Sequence, residues 1–453
     1  MRLTRRDLLR GGLAASTLAA CAKPGADDDS GGPVSAAPRP SEPAQWAPSE
    51  GTLDEGTFAY GCSSGDVTSN QAILLARTAA ADVSVVVVAE QNGAWVEVAR
   101  VDGLSPQGES VKVTVDGLAA DTAHRYVFVA GDSRSAVGRF RTALAAGSSR
   151  QLSFGATSCL GGNHPWTLLS HAATEQLDFF CLLGDTTYCD GSVTLEDYRS
   201  VWREAMGTRG MQDLVASTSL LATWDDHETT DNANWDEVTD EMHEAAVQTM
   251  LESLPCEMSG VGDNGPAWWR SFSYGDVAEV FVLDCRSERL DGRYISVAQM
   301  DWLKAGLRAS KARFKIILNS VPITDMSGMI GSVAADDRWQ GYPAQRSELI
   351  NFIADNEVAG VLWITGDVHF GQIGWLDAAG GVGAAMPEVY AGPGGSEINP
   401  LAFLVDPNEQ YPVLIAEWNW ARFDLDPGLG TLRVRHFNDA NVAISDWLYE
   451  GLA

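Results

Sequence analysis

Short apolar runs recur along the whole chain, but the spacing between them follows two different rules. Between residues 57 and 143 the runs fall at 72–77, 83–88, 95–98, 111–115 and 126–129, separated by Gly- and Asp-containing turns. Runs rich in β-branched and aromatic residues at this spacing predict a small β-sandwich of fibronectin or immunoglobulin type over residues 56–145. From residue 151 strand-like runs alternate with helical segments. Strands are expected at 152–158, 178–183, 220–224, 277–283, 314–318 and 358–364. Helices are expected at 166–176, 194–206, 240–254, 297–309 and 345–354. In 240–254, Met242, Ala246, Met250 and Leu251 fall on one helical face. The tail from 414 to 437 is again strand-rich. This alternation predicts a layered α/β domain over residues 150–453.

The first 55 residues follow neither rule. Thr4-Arg5-Arg6-Asp7-Leu8-Leu9 is a twin-arginine pattern, and an apolar stretch runs from Gly11 to Ala20. That stretch is too short to span a bilayer and has the length of a signal segment. Leu18-Ala19-Ala20-Cys21 reads as a lipobox with Cys21 as the lipidated residue. The expectation is a signal over 1–21, export by the twin-arginine pathway, and a periplasmic or extracellular protein held to the membrane only by lipid. Residues 22–55 are rich in Pro, Gly, Ser, Ala and Asp, which predicts a flexible linker. Seven cysteines without a CxxC spacing argue against a zinc ribbon and leave disulfide pairing open. The net charge of -30 would repel a phosphate backbone, so no nucleic-acid-binding surface is expected. A monomer is expected.

The candidate chemistry sits where strands of the second domain end. The run 179–183 leads into Gly184-Asp185-Thr186-Thr187-Tyr188, and 361–365 leads into Gly366-Asp367-Val368-His369. Three other strands end in Ser158-Cys159, in Asp225-Asp226-His227-Glu228 with Asn232 following, and in Asn319-Ser320. A polar residue at one strand end is ordinary; the carboxyl ends of strands in an α/β sheet are also where sites assemble. Five such ends carrying Cys, Asp, Tyr, His and Asn form a ligand set. Thiolate and phenolate donors suit ferric iron, and the carboxylate and amide donors suit calcium, magnesium or manganese. A pair of ions bridged by one carboxylate suits phosphoester hydrolysis.

The ordered motifs SC, GDTTY, WDDHE and TGDVHFG resemble those of the PhoD-type alkaline phosphatase and phosphodiesterase family, within the calcineurin-like metallophosphoesterase superfamily. The likeness runs from Phe58-Ala59-Tyr60-Gly61-Cys62 through the stretch 268–284 and Gln299-Met300-Asp301-Trp302-Leu303 to the last strands. It implies a metallophosphoesterase-type β-sandwich flanked by helices after the small N-terminal sandwich. It implies cleavage of phosphomonoesters or phosphodiesters by a metal-bound hydroxide. Cys159, Asp185, Tyr188 and His369 would then hold ferric iron, with Asp185 bridging. Asp226, Asn319 and Asp367 would hold calcium, and Asp225 and Asn232 a further ion or the residues behind one. His227 would protonate the leaving group and Arg286 would contact phosphate. After DDHE the segment 229–234 departs from the family spacing, and the glycine-rich stretch 391–396 is expected to reshape substrate access. Two other classes compete: a purple-acid-type phosphatase, against which Cys159 and Asp367 argue, and a lipid-anchored binding protein of the same fold without turnover.

Overall fold

Alternation along single strands assigns each face of the main sheets to a different neighbour. The computed structural model describes residues 35–162, 165–232, 238–262, 265–289, 292–325, 335–404 and 406–452. In the strand Phe179–Leu183, Phe179, Cys181 and Leu183 enter one core, while Phe180 and Leu182 enter another. In Phe314–Asn319, Ile316 and Leu318 join that first core and Ile317 turns the other way. Leu362 and Ile364 of Val361–Thr365 also face the first core, and Trp363 faces outward. Strands buried on both faces are nearly continuous apolar runs, which is how they read in sequence.

The first core lies between two sheets. The larger has nine strands in the order Trp447–Tyr449, Thr431–Asn438, Asn419–Asp426, Leu152–Thr157, Phe179–Leu183, Leu220–Thr223, Cys62–Gly65, Gln71–Arg77 and Ser110–Asp116. The other has seven, in the order Arg270–Tyr274, Ala278–Val282, Phe314–Asn319, Val361–Thr365, Pro387–Tyr390, Gly371–Trp375 and Val413–Ile415. The strands that carry the motifs pair in parallel within each sheet, so their carboxyl ends emerge on one side. Helices Thr167–Ala172, Leu195–Gly207, Arg209–Ser217 and Asp240–Ser253 cover the outer face of the nine-stranded sheet through Leu168, Trp202, Leu214 and Met250. Val297–Ala309 and Pro343–Asp355 cover the seven-stranded one through Leu303 and Ile353. The result is a helix–sheet–sheet–helix sandwich.

The N-terminal β-sandwich adds a six-stranded sheet led by Val83–Gln91, Ala94–Leu104 and Ala123–Ala130. Val85, Val87, Tyr126 and Phe128 pack there against Leu74, Ala76, Val111 and Val115. The opposing strands of this sandwich are the far end of the nine-stranded sheet, joined where Gly65 pairs with Leu220. Close approach explains Gly65: a Cβ there would lie 2.5 Å from the Pro255 carbonyl oxygen. Next to it Asp66 and Arg270 form a buried bidentate pair at 2.9 and 2.8 Å. Arg270 also donates to the carbonyls of Trp268 and Ala222, which satisfies the guanidinium without water.

Several expectations change here. The helix expected over 166–176 stops at Ala172, and an unforeseen helix, Arg209–Ser217, follows Thr208, whose hydroxyl accepts from the Met211 amide. Glycine weakens a helix interior, yet Gly210 lets this one meet Trp166, whose carbonyl oxygen would lie 2.0 Å from an added Cβ. The described part of the expected linker, 35–55, is not free. Ser35 and the Ala36 amide bind Asp426, Arg39 pairs with Asp178, and the Trp95 indole donates to the Ala44 carbonyl. The signal pattern, Cys21 and His164 lie outside the described residues. Cys62, Cys159, Cys181, Cys189, Cys256 and Cys285 are all buried, and none forms a disulfide among the described residues. No helix among the described residues is long and apolar enough to cross a membrane.

Removing one partner of a buried ion pair strands the other charge. Arg270→Met is therefore expected to cost about 3–5 kcal/mol in denaturant unfolding. A loss below ~1 kcal/mol would show that Asp66 finds another partner.

Candidate metal centre

Each motif strand turns sharply at its carboxyl end, and four of the expected ligands sit in that turn. Cys159 (φ 54°), Asp185 (φ 52°), Asp367 (φ 69°) and His369 (φ 59°) all adopt left-handed backbone conformations. Non-glycine residues rarely hold that geometry, and where they do the surrounding structure imposes it. Hydrogen bonds between the loops do so here. The Cys159 and Leu160 amides donate to the Gly184 and Asp185 carbonyls at 3.3 and 2.8 Å, and the Gly366 amide donates to the Ser320 carbonyl at 3.1 Å. The glycines set the spacing: a Cβ on Gly184 would lie 2.5 Å from that of Asp225, and one on Gly366 would lie 2.6 Å from that of Ser158.

Glu228 fastens two of these loops from within. Fully buried, its carboxylate accepts the amides of Asp185 at 3.0 Å, Thr186 at 2.6 Å and Asp225 at 2.9 Å. Burial raises its pKa, and those three amides pull the other way.

Three sets of side chains have donor atoms within 4.8 Å of one another: Cys159, Asp185 and His369; Asp185, Asp226 and His227; Asp225, Asp226 and Asp367. Asp185 is common to the first two and Asp226 to the last two. Around the first set the Tyr188 hydroxyl lies 3.4 Å from Asp185 and 3.3 Å from His369 Nε2. The Ser396 hydroxyl donates to the Tyr188 oxygen at 2.6 Å. His369 Nδ1 donates to the Glu397 carbonyl at 2.8 Å, so Nε2 is the nitrogen with a lone pair for a ligand.

The donor set fits cations. Asp185 Oδ1 and Asp225 Oδ2 are buried without hydrogen-bond partners. Burial and the neighbouring Asp226, Asp225 and Glu228 carboxylates push the Asp185 pKa well up, against the pull of His227. Burial likewise raises Asp225 to about 8, although Arg286 opposes it. Carboxylates crowded and dehydrated in this way take up either protons or metal ions. A thiolate, phenolate, imidazole and carboxylate on one side and an oxygen-rich group on the other suit two unlike ions.

Not every expected residue is placed as the motifs suggest. Arg286 was expected on phosphate but is buried, and its guanidinium binds Asp225 and Asp337 and approaches Asp226 at 3.4 Å. Surrounding carboxylates hold it behind the ligands as a counter-charge. The Asn319 oxygen accepts from the Cys285 thiol at 3.0 Å and the Trp339 indole at 3.2 Å, leaving Nδ2 without an acceptor. An oxygen ligand role would need that amide turned over. Asn232 reaches Asp226 through its backbone amide at 2.5 Å, while its side chain donates to Asp231. The stretch 391–396 is packed rather than open: the Gly394 amide donates to the Ser158 carbonyl, and those of Gly395 and Ser396 to Cys159.

Asp190 had no signal in the sequence beyond following the GDTTY motif. Its carboxylate accepts from His227 Nδ1 at 2.9 Å, and the His227 ring stacks on Tyr188 at 3.9 Å. Burial works against a charged His227, but Asp226, Asp185 and Asp190 outweigh it and raise its pKa to about 10. Beside Tyr188 a cavity of about 630 Å³ opens, lined by Gly161, Gly162, Thr187, Val201 and Glu204 among others.

Residues 154–398 match the PhoD-like phosphatase family, and residues 45–144 match the N-terminal domain of PhoD-like phosphatases. The chain belongs to this family. It is 29% identical over 310 residues to Alkaline phosphatase D of Bacillus subtilis (strain 168), covering 57% of this chain and 53% of that protein. The chain thus spans about half the length of this curated relative. A solved structure of PhoD superimposes with a TM-score of 0.75 at 23% identity, over 87% of this chain and 90% of the other. The purple acid phosphatase PPD1 from yellow lupin (Lupinus luteus) seeds gives 0.62 at 12% identity, over 86% and 74%. Both likenesses show the fold, a sandwich of the PhoD and purple-acid-phosphatase type.

Glu228→Ala would leave three buried amides without an acceptor, each costing about 1–3 kcal/mol. Metal affinity is expected to fall about 10–100-fold, as for other residues that orient ligands. Elemental analysis and denaturant unfolding of the variant check both; unchanged metal content would show that the loops hold without Glu228.

Proposed function

We propose that this family member is a metal-dependent hydrolase of phosphomonoesters or phosphodiesters. The observation that carries the reading is the chain of three ligand sets linked through Asp185 and Asp226. Cys159, Asp185, Tyr188 and His369 would hold ferric iron. Asp226 and Asp367 would hold calcium, with Asn319 joining if its amide turns, and Asp225 would serve a further ion or steady this one. When bound, the metals supply a water of lowered pKa and positive charge opposite the phosphoryl oxygens.

The chain's own residues do the rest. With Arg286 engaged behind the ligands, the charge opposite the substrate phosphate would come from bound cations. His227 hands a proton to the leaving oxygen from the nitrogen opposite Nδ1. Asp190 fixes that choice by accepting from Nδ1, and Tyr188 holds the ring by stacking. The cavity beside Tyr188 has room for one organic arm of the ester. The proposal also includes export by the twin-arginine pathway and lipid attachment at Cys21, on the sequence pattern alone.

Purified protein is expected to carry iron and calcium, to show a visible thiolate or phenolate charge-transfer band, and to hydrolyse 4-nitrophenyl phosphate or bis(4-nitrophenyl) phosphate. Fully folded protein with no transition metal sinks the iron assignment, and metal-replete protein without turnover on either ester sinks the hydrolase reading.

Asp190→Asn separates positioning from mere structure. If Asp190 orients the proton donor, kcat on an alkyl ester falls about 10²–10⁴-fold while kcat on a 4-nitrophenyl ester, whose leaving group needs little protonation, changes far less. Equal losses on both esters would assign Asp190 a structural role.

A further inference from the structure

Segment 392–397 is held firmly on one side and touches three of the four proposed iron ligands on the other. The Asn419 side chain accepts from the Gly392 amide at 3.1 Å and donates to the Gly392 carbonyl at 2.7 Å. The Asn419 amide donates to the Pro393 carbonyl at 2.9 Å, and the Trp418 indole donates to the Ser396 carbonyl at 2.7 Å. Trp418 precedes and Asn419 begins the strand Asn419–Asp426, which pairs with the strand Leu152–Thr157 that leads to Cys159. Towards the ligands, the Gly395 and Ser396 amides donate to the Cys159 carbonyl at 3.2 and 3.0 Å. The Glu397 carbonyl accepts from His369 Nδ1 at 2.8 Å, and the Ser396 hydroxyl donates to the Tyr188 oxygen at 2.6 Å.

These contacts differ in kind. Those to Cys159 and His369 use only the backbone of the segment. The one to Tyr188 uses a side chain, and it is the shortest. Ser396 is buried, so bulk water does not compete for its hydroxyl. The same Tyr188 oxygen lies farther from its other neighbours, 3.4 Å from Asp185 and 3.3 Å from His369 Nε2. Gly161 leaves room for the pair to meet: a Cβ there would lie 2.9 Å from Ser396 Oγ and 2.5 Å from the Tyr188 ring.

We propose that Ser396 is a positioning residue for Tyr188, fixing the phenol oxygen among the ligands and tempering its electron donation to a bound ion. The inference rests on the assignment of Tyr188 as an iron ligand made under the proposed function. The hydroxyl keeps a lone pair to donate to whether or not the phenol holds its proton, and the bond strengthens once the oxygen is ionised. Because Trp418 and Asn419 clamp the backbone, the hydroxyl is already in place before an ion arrives.

The test measures iron affinity and the visible spectrum of the full chain as wild type, Ser396→Ala, Tyr188→Phe and the double variant. Ser396→Ala removes the hydroxyl and leaves the backbone contacts to Cys159 and His369 in place. Iron affinity is expected to fall about 10-fold, as for other residues that orient ligands. The charge-transfer band is expected to move to longer wavelength, because a phenolate without that hydrogen bond gives up an electron more readily. In the Tyr188→Phe background the same substitution is expected to change neither the iron affinity nor the remaining thiolate band. A band that stays in place in Ser396→Ala, or an equal loss of affinity in both backgrounds, overturns the proposal and leaves the iron assignment standing. A wild type that takes up no iron overturns the iron assignment and this inference with it.

Discussion

The rest of this structure depends on the crowding of buried carboxylates at one junction between two sheets. Asp185, Asp225, Asp226, Glu228, Asp337 and Asp367 are all buried there. Two like charges about 5 Å apart repel by roughly 3 kcal/mol at an effective dielectric of about 20. Among the described residues Arg286, Arg289 and His227 answer that repulsion, Arg286 by reaching Asp225, Asp226 and Asp337 and lying 3.9 Å from Asp367, and Arg289 by pairing with Asp337 at 2.7 Å. The remaining negative charge is what makes the junction a place for metal ions, and it is a constraint the scaffold must withstand when they are absent.

The scaffold meets that constraint with stiffness. Both sheets are buried on their two faces, so the strand ends cannot shift without disturbing packed layers on either side. The left-handed turns at Cys159, Asp185, Asp367 and His369 aim their side chains inward and are held by hydrogen bonds from neighbouring loops. Glu228 spends a whole buried carboxylate on three backbone amides, binding the Asp185 loop to the Asp225 loop. Glu388 plays the same part on the other sheet, accepting the Ile323 and Thr324 amides and the Thr365 hydroxyl just before the Gly366 turn. In both places a buried acid serves as connector between backbone segments, which fixes the distance between ligands contributed by distant parts of the chain.

Much of this was legible in the residues themselves. Period-two alternation and apolar runs located the central strands because burial on one or both faces leaves that mark on any strand. Motifs at strand ends pointed to the candidate donor set because short loops leave their side chains little choice of position. The helix Arg209–Ser217 was not legible, because Gly210 carries a breaker signal that close packing against Trp166 overrides. The ordering of 35–55 was hidden for a similar reason: a composition poor in apolar residues still binds firmly when Asp426, Asp178 and Arg125 await it on the surface.

By itself the sequence determined which donor atoms this protein has and that they lie at strand ends, since local pattern and chain connectivity dictate both. What only the tertiary structure decided is which of them share a neighbour. Arg286 reads as a phosphate ligand until three-dimensional proximity surrounds it with Asp225, Asp226 and Asp337, and Asp190 reads as nothing until it meets His227. Electrostatic roles are set by distances of a few ångströms between residues remote in the chain, and no spacing along one strand encodes those distances.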